Sequence, residues 1–328
     1  MSSPSSPMLQ AEHLSKTFRR RTWLNKGRHE IHAVRDISFN VERGDVFGFL
    51  GPNGAGKSTT IRMSLGLIHP TSGRVLIGGC DLAEDPRRAL RQVGAFVEAP
   101  SFYGYLSGWE NLRIFAGLSG GVSQAEMERV VELVGLKDRE HDPVSVYSHG
   151  MRQRLGIASC LLPRPSLIIL DEPTDGLDPH GIKEVRDLVK RLARDEGLTV
   201  FLSSHLLGEV ENLCNRIAIL EKGEKILEGG LIELETKHRR WRIESPQPER
   251  VEAFLAEKFS LSPIVKSTLA NERIYYFEGR EPSGLNTALV NAGIEITSFA
   301  REENWLDRLF LELTTSRESF FQQEKAAS

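Results

Sequence analysis

Cysteine is scarce in this chain: Cys80, Cys160 and Cys214 are the three present, far apart and with no C-x-x-C pair. That excludes a disulfide framework and a cysteine-based zinc site, and it suits a reducing compartment. Long apolar runs are also missing, and none approaches the roughly 20 residues that a membrane-spanning helix needs. A protein of this kind reaches a membrane only through a partner. Neither sign of charge dominates, since 42 Lys and Arg face 45 Asp and Glu for a net charge of −3. No global basic field points to nucleic acid. The opening Met1-Ser2-Ser3-Pro4-Ser5-Ser6-Pro7 lacks the charge and apolar core of a signal peptide and reads as a disordered tail.

What is present is ordinary globular composition, 40% hydrophobic and 27% charged over 328 residues, enough for one large domain and one small one. Its most informative stretch is Gly51-Pro52-Asn53-Gly54-Ala55-Gly56-Lys57-Ser58-Thr59. An apolar run, Asp45–Leu50, precedes it, and Thr60–Leu65 follows without a helix breaker. Strand, glycine loop and helix together give the pattern physical meaning. Glycines let the backbone turn tightly so that N–H groups converge on phosphate oxygens, and the helix N-terminus adds its positive dipole end. Lys57 is then expected to reach the outer phosphates of a nucleoside triphosphate, and the Ser58 hydroxyl to ligate magnesium. A second apolar run, Leu167–Leu170, ends in Asp171 and Glu172. A buried strand of this kind delivers Asp171 to a magnesium ion, which prefers hard oxygen ligands. Glu172 points differently and is a candidate to polarise the attacking water as general base.

The order of elements predicts an α/β unit over residues 8–234. Strands are expected at Ala33–Val41, Val46–Leu50, Arg74–Ile77, Val93–Val97, Leu167–Leu170, Thr199–Ser203 and Arg216–Leu220, in a doubly wound sheet with parallel strands at its centre. From about 99 to 163 the apolar spacing turns helical, with segments Gly108–Leu118, Ser123–Val134 and Met151–Leu162, which predicts an inserted helical subdomain. Residues 235–321 read as a small α+β module of order β-α-β-β-α-β plus a closing helix, similar to a ferredoxin-like unit. Its elements are expected at Arg240–Ile243, Pro248–Phe259, Ile264–Ser267, Arg273–Phe277, Pro282–Ala292, Ile294–Phe299 and Asn304–Leu313, with 322–328 as a frayed tail.

Ile169-Leu170-Asp171-Glu172-Pro173-Thr174 followed by Gly176-Leu177-Asp178-Pro179 closely resembles the second nucleotide motif and D-loop of ATP-binding cassette (ABC) ATPases. Further motifs of that family occur in order. Tyr147-Ser148-His149-Gly150-Met151-Arg152-Gln153-Arg154 stands where the family has its signature, Ser203-Ser204-His205 where it has its switch histidine, and Phe18 where it stacks an aromatic ring on adenine. The resemblance spans about residues 8–230, and ordered motifs are far more specific together than singly. The segment from Trp305 to Thr314 is similar to the extension of antibiotic and peptide exporter cassettes.

The resemblance implies a P-loop NTPase core that binds ATP and Mg²⁺ and pairs with a second ATPase subunit, here expected to be an identical copy. Ser148 and Gly150 would cap the ATP of the partner, Asp178 would lie at the seam, and His205 would contact the γ-phosphate and the attacking water. It also implies a cytoplasmic protein held at the inner face of the membrane by separate permease subunits, with antibiotic or peptide cargo and no nucleic-acid role. Other readings stay open: a soluble ABC-type ATPase, or a cassette that powers export of ions, lipids or polysaccharides.

Two positions depart from the family. Glu98 replaces the usual glutamine, where it can still offer magnesium an oxygen or be a solvated loop carboxylate. His149 replaces a glycine, either near the partner's nucleotide or turned to solvent. Phe18 is either the adenine platform or a core residue of an edge strand. Tyr103, Tyr105 and Trp109 either face the permease or pack within the helical subdomain. Arg19, Arg20, Arg21, Lys26 and Arg28 around Trp23 read as a solvated basic loop.

Overall fold

Consecutive apolar residues make a strand that must be covered on both faces, and that requirement builds the central sheet. The computed structural model describes residues 6–21, 28–97, 101–262, 265–269, 272–278 and 284–314. The chain divides into two compact units, Met1–Gly229 and Gly230–Ser328. The first runs through β1 (Leu9–Arg21), β2 (Arg28–Val41), β3 (Val46–Leu50), α1 (Lys57–Ser64), β4 (Ser72–Ile77), β5 (Cys80–Asp81), α2 (Pro86–Leu90) and β6 (Val93–Phe96). It continues with α3 (Gly108–Leu118), α4 (Gln124–Leu133), α5 (His149–Leu161), β7 (Leu167–Asp171), α6 (Pro179–Asp195), β8 (Thr199–Ser204), α7 (Leu207–Leu213), β9 (Arg216–Glu221) and β10 (Glu224–Gly230).

Six strands form one sheet in the order β10-β9-β3-β8-β7-β6, parallel from β9 to β6. Every residue of β3, β7 and β8 is buried. The carboxyl ends of β3, β8 and β7 therefore lie side by side, and the crevice beyond such ends is where α/β sheets bind ligands. The expected parallel centre is present, but Ala33–Val41 and Arg74–Ile77 are not part of it. They belong to a second, antiparallel sheet of order β2-β1-β4-β5. Phe39 of β2 links the two sheets, stacking on Phe201 with ring centroids 5.6 Å apart and lying 5.2 Å from Phe49. Strands β1 and β10 are additional to those the periodicity predicts.

The helical subdomain carries α3, α4 and α5. Ser107 and Glu110 start α3 with a capping box, each side chain accepting the other's backbone N–H. Helix α5 rests directly on β6: a Cβ at Gly94 would lie 2.1 Å from the Cys160 carbonyl oxygen, so only glycine permits the approach. Glu126 of α4 is 5% exposed and pairs with Arg129 at 2.8 Å and with Arg164, while Arg129 also bridges to Glu196 at 2.7 Å. This cluster ties α4 to the segments after α5 and α6. Burial alone would raise the Glu126 pKa, but the two guanidinium partners outweigh it and hold the carboxyl below its ordinary value of 4.5. A depressed folded value means that the stabilisation is complete above 4.5 and lost as pH falls through the folded value. Glu126→Gln should therefore cost about 2 kcal/mol at neutral pH, modest for a buried pair because Arg164 is exposed. In urea titrations the gap to wild type should narrow as pH falls below 4.5; a gap constant with pH would refute the assignment.

The second unit contains α8 (Leu231–His238), β11 (Arg240–Ser245), α9 (Pro248–Phe259), β12 (Val265–Leu269), β13 (Glu272–Glu278), α10 (Leu285–Asn291), β14 (Ser298–Arg301) and α11 over residues 305–314. Its sheet is antiparallel in the order β12-β13-β11-β14, the ferredoxin-like arrangement. Ile243, Tyr275 and Phe277 pack against Val251, Leu255, Leu285 and Leu289 from α9 and α10. The expected strand at Ile294–Phe299 begins only at Ser298, since Ile294 is taken into this core. The boundary also moves, from 234/235 to Gly229/Gly230, because α8 groups with the second unit. Residues 282 and 283 of the predicted helix, 315–321 at the end of the predicted module and the predicted tail 322–328 lie outside the described residues, as do residues 1–5 of the opening tail.

Candidate active site

Leu50 ends β3, and the chain turns through Gly51–Gly56 before α1 begins at Lys57. Gly54 and Gly56 take φ angles of 82° and 104°, a region that side chains disfavour. Space is a second constraint at Gly56, where a Cβ would meet the Ala33 carbonyl oxygen at 2.6 Å. At Gly51 it would meet the Leu220 carbonyl oxygen at 2.5 Å, whereas nothing lies within 4 Å of a Cβ at Gly54. The loop is thus clamped at both ends and open at its middle, a cradle with backbone N–H groups at the mouth of α1. Lys57 folds back across it, donating to the Gly51 carbonyl at 2.6 Å and the Pro52 carbonyl at 3.4 Å.

Above this loop, Pro52, Asn53, Gly54, Ala55, Gly56, Lys57, Ser58 and Thr59 line a cleft of about 670 Å³ with Phe18, His32, Glu172 and Lys222. Phe18 is 41% exposed at this cleft, opposite Ile31 across β1 and β2, so it is no core residue. The Lys16 ammonium sits 5.2 Å from its ring centroid. Arg19 pairs with Glu30, and Trp23 and Lys26 lie outside the described residues.

Asp171 ends β7 and is 7% exposed. It accepts a hydrogen bond of 2.5 Å from the Ser203 hydroxyl on the neighbouring β8. The same hydroxyl accepts from the Glu172 N–H at 3.0 Å. One serine thereby holds the Asp171 carboxylate and the Glu172 backbone together, a role that its position in Ser203-Ser204-His205 does not announce. Glu172 takes a φ of 48° as the chain leaves the sheet. Its Oε1 lies 3.2 Å from Lys57 Nζ, and its Oε2 lies 2.8 Å from His205 Nδ1 and 3.3 Å from the His205 backbone nitrogen. Residues separated by more than a hundred positions meet here because β3, β7 and β8 are neighbours.

Among the described residues no three His, Cys, Asp or Glu side chains gather into a metal cage. The donors near the loop are instead the Ser58 hydroxyl and the Asp171 carboxylate, which with Glu172 line a smaller cleft of about 280 Å³. Few protein oxygens beside a phosphate cradle fit magnesium, which usually keeps water and phosphate as its other ligands. Glu98 lies outside the described residues.

The signature residues begin α5. Ser148 caps that helix, its hydroxyl oxygen accepting the Met151 N–H at 3.1 Å, which leaves the hydroxyl hydrogen to donate. Gly150 follows within the first turn. Just before, the buried Tyr147 phenol donates to the Arg139 carbonyl at 2.7 Å, and burial pushes its pKa up to about 12. Asp178 caps α6 by accepting the Gly181 N–H at 2.9 Å. Tyr103 and Tyr105 are 54% and 78% exposed, on a loop that Asn111 holds by bonding both the backbone N–H and the carbonyl of Tyr103. Trp109 is half-buried beside His141. Lys222 and His32 escaped the reading of the sequence, because no motif marks a residue whose role comes from a distant strand; Asn111 escaped it because its bonds to the Tyr103 backbone belong to no motif.

The family described as ABC transporter matches residues 34–175. An uncharacterized ABC transporter ATP-binding protein of Bacillus subtilis (strain 168), YdbJ, is 39% identical over 318 residues, 96% of this chain and 97% of that protein. The bacitracin transport ATP-binding protein BcrA of Bacillus licheniformis is 38% identical over 282 residues, 86% of this chain and 92% of that protein. A solved ATP-binding subunit of an ABC transporter superposes with a TM-score of 0.57 at 32% identity, over 70% of this chain and 92% of that one. With the phosphate cradle, the paired carboxylates and the histidine converging at the carboxyl ends of the central strands, these likenesses place the chain in the ABC family: it is an ABC transporter ATPase subunit.

Proposed function

We propose that this chain powers an exporter by closing on a second copy around two ATP molecules and opening when they are hydrolysed. The observation that carries the reading is Glu172 held between Lys57 at 3.2 Å and His205 at 2.8 Å, at the mouth of the phosphate loop. Lys57 turns from the loop carbonyls to the outer phosphates, and Glu172, freed from it, takes a proton from the attacking water. His205 orients that water and the γ-phosphate. Phe18 offers its exposed face to adenine. Ser58 and Asp171, with Glu98 as the sequence assigns it, would hold magnesium, which would neutralise phosphate charge when bound. Ser148 and Gly150, at the N-terminus of α5, supply an anion site that the second copy's γ-phosphate completes, with Asp178 at the seam.

Loss of that phosphate removes the charge bridging the copies, so hydrolysis becomes a movement. Tyr103 and Tyr105, exposed on the helical subdomain, are the surface offered to separate permease subunits, which place the protein at the cytoplasmic face of the membrane. Among the described residues no helix is long and apolar enough to cross a membrane. The bacitracin-transport relative favours an antibiotic as cargo. The test is assembly: Glu172→Gln saturated with ATP and Mg²⁺ should run as a dimer in light scattering and revert to monomer when nucleotide is removed. Persistent monomers, with the permease in vesicles as well, would overturn the reading.

A further inference from the structure

His149 and Gln153 stand one helical turn apart on one face of α5, the spacing that puts two side chains over the same neighbour. That neighbour is the backbone that follows Glu172. Gln153, 4% exposed, donates through Nε2 to the Pro173 carbonyl at 3.2 Å. His149 Nδ1 lies 3.1 Å from the Gly176 carbonyl oxygen. A carbonyl only accepts, so the proton of this bond sits on Nδ1. The fit is close: Gly176 has φ 69°, and a Cβ there would lie 3.0 Å from His149 Cε1. Both side chains line the smaller cleft with Ser58, Asp171 and Glu172. The clamped segment joins Glu172 to Asp178, which caps α6.

We propose that His149 is a positioning residue, an N–H donor that fastens the Pro173–Gly176 turn to the signature helix of the same chain and so sets Glu172 and Asp178 for hydrolysis. The catalytic half of this proposal rests on the role given above to Glu172; the tether itself exists in a single copy without nucleotide. Without the bond, the turn samples other conformations and the competent geometry is populated less.

Side-chain geometry supplies a discriminating test. Asparagine places its amide nitrogen where imidazole places Nδ1, whereas glutamine places its own near Nε2. His149→Leu keeps bulk but has no donor. In nucleotide-free protein, amide hydrogen exchange over residues 174–178 should quicken roughly three- to tenfold in His149→Leu and His149→Gln, the range expected for loss of one hydrogen bond. His149→Asn should restore wild-type protection. In ATPase assays kcat should fall by a similar factor in the leucine and glutamine variants with KM unchanged, and recover in asparagine. Unchanged exchange in His149→Leu, or rescue by glutamine as good as by asparagine, would overturn the tether. Altered exchange with unaltered kcat would overturn its link to hydrolysis, leaving the dimer reading to its own test.

Discussion

Glu172→Gln is expected to lower ATP turnover by about 10²–10⁴-fold, the contribution usual for a positioned general base. The amide is nearly isosteric and can still accept from the His205 N–H, so the crevice should keep its shape. A neutral amide cannot take a proton from water, however, and that step is the one removed. Nucleotide affinity should hold or rise, because the carboxylate that competes with the phosphates for Lys57 is gone. The contrast between kcat and binding is the diagnostic, measured by phosphate release and by fluorescent-nucleotide titration in the same preparation. Turnover within a few-fold of wild type would move the base elsewhere in the cleft.

Lys57→Ala should act on the opposite quantity. Lys57 is 5% exposed, its charge met by the Gly51 and Pro52 carbonyls and by Glu172. Truncating one partner of a buried, charge-assisted contact costs about 2–4 kcal/mol, which weakens nucleotide binding roughly 30- to 1,000-fold. The loss should be the same in dilute monomer and in concentrated protein, since the lysine serves its own chain's loop. Thermal stability without nucleotide should drop as well, because Glu172 keeps His205 but loses its buried cation. An affinity unaltered by Lys57→Ala would mean that the loop backbone alone grips the phosphates.

How much of this site the sequence discloses follows from the range of the forces involved. The phosphate loop is a local device: glycines at Gly54 and Gly56 meet positive φ angles within a few residues, and the flanking runs read directly as strand and helix. The same holds for β7, whose four consecutive apolar residues, Leu167 to Leu170, admit only a strand buried on both sides. Strand β1 is different. Leu9-Gln10-Ala11-Glu12-His13-Leu14-Ser15 lacks clean alternation, because bulges shift its register against β2 after Ala11 and again after Leu14. Pairing with β2 and β4, not local pattern, makes it a strand. Likewise every residue of β10 is only half-buried, so no apolar signal marks it.

On its own, the sequence determined the nucleotide chemistry, the parallel core and the order of motifs, because each is written in contiguous residues obeying short-range steric and hydrophobic rules. Tertiary structure alone decided which distant groups share a proton or a charge. Ser203 serves Asp171 and Glu172 together because β8 lies beside β7. His149 meets Gly176 because α5 settles against the loop that leaves β7. Those contacts depend on how strands order and how helices pack, which sum over the whole chain and leave no mark at any single position.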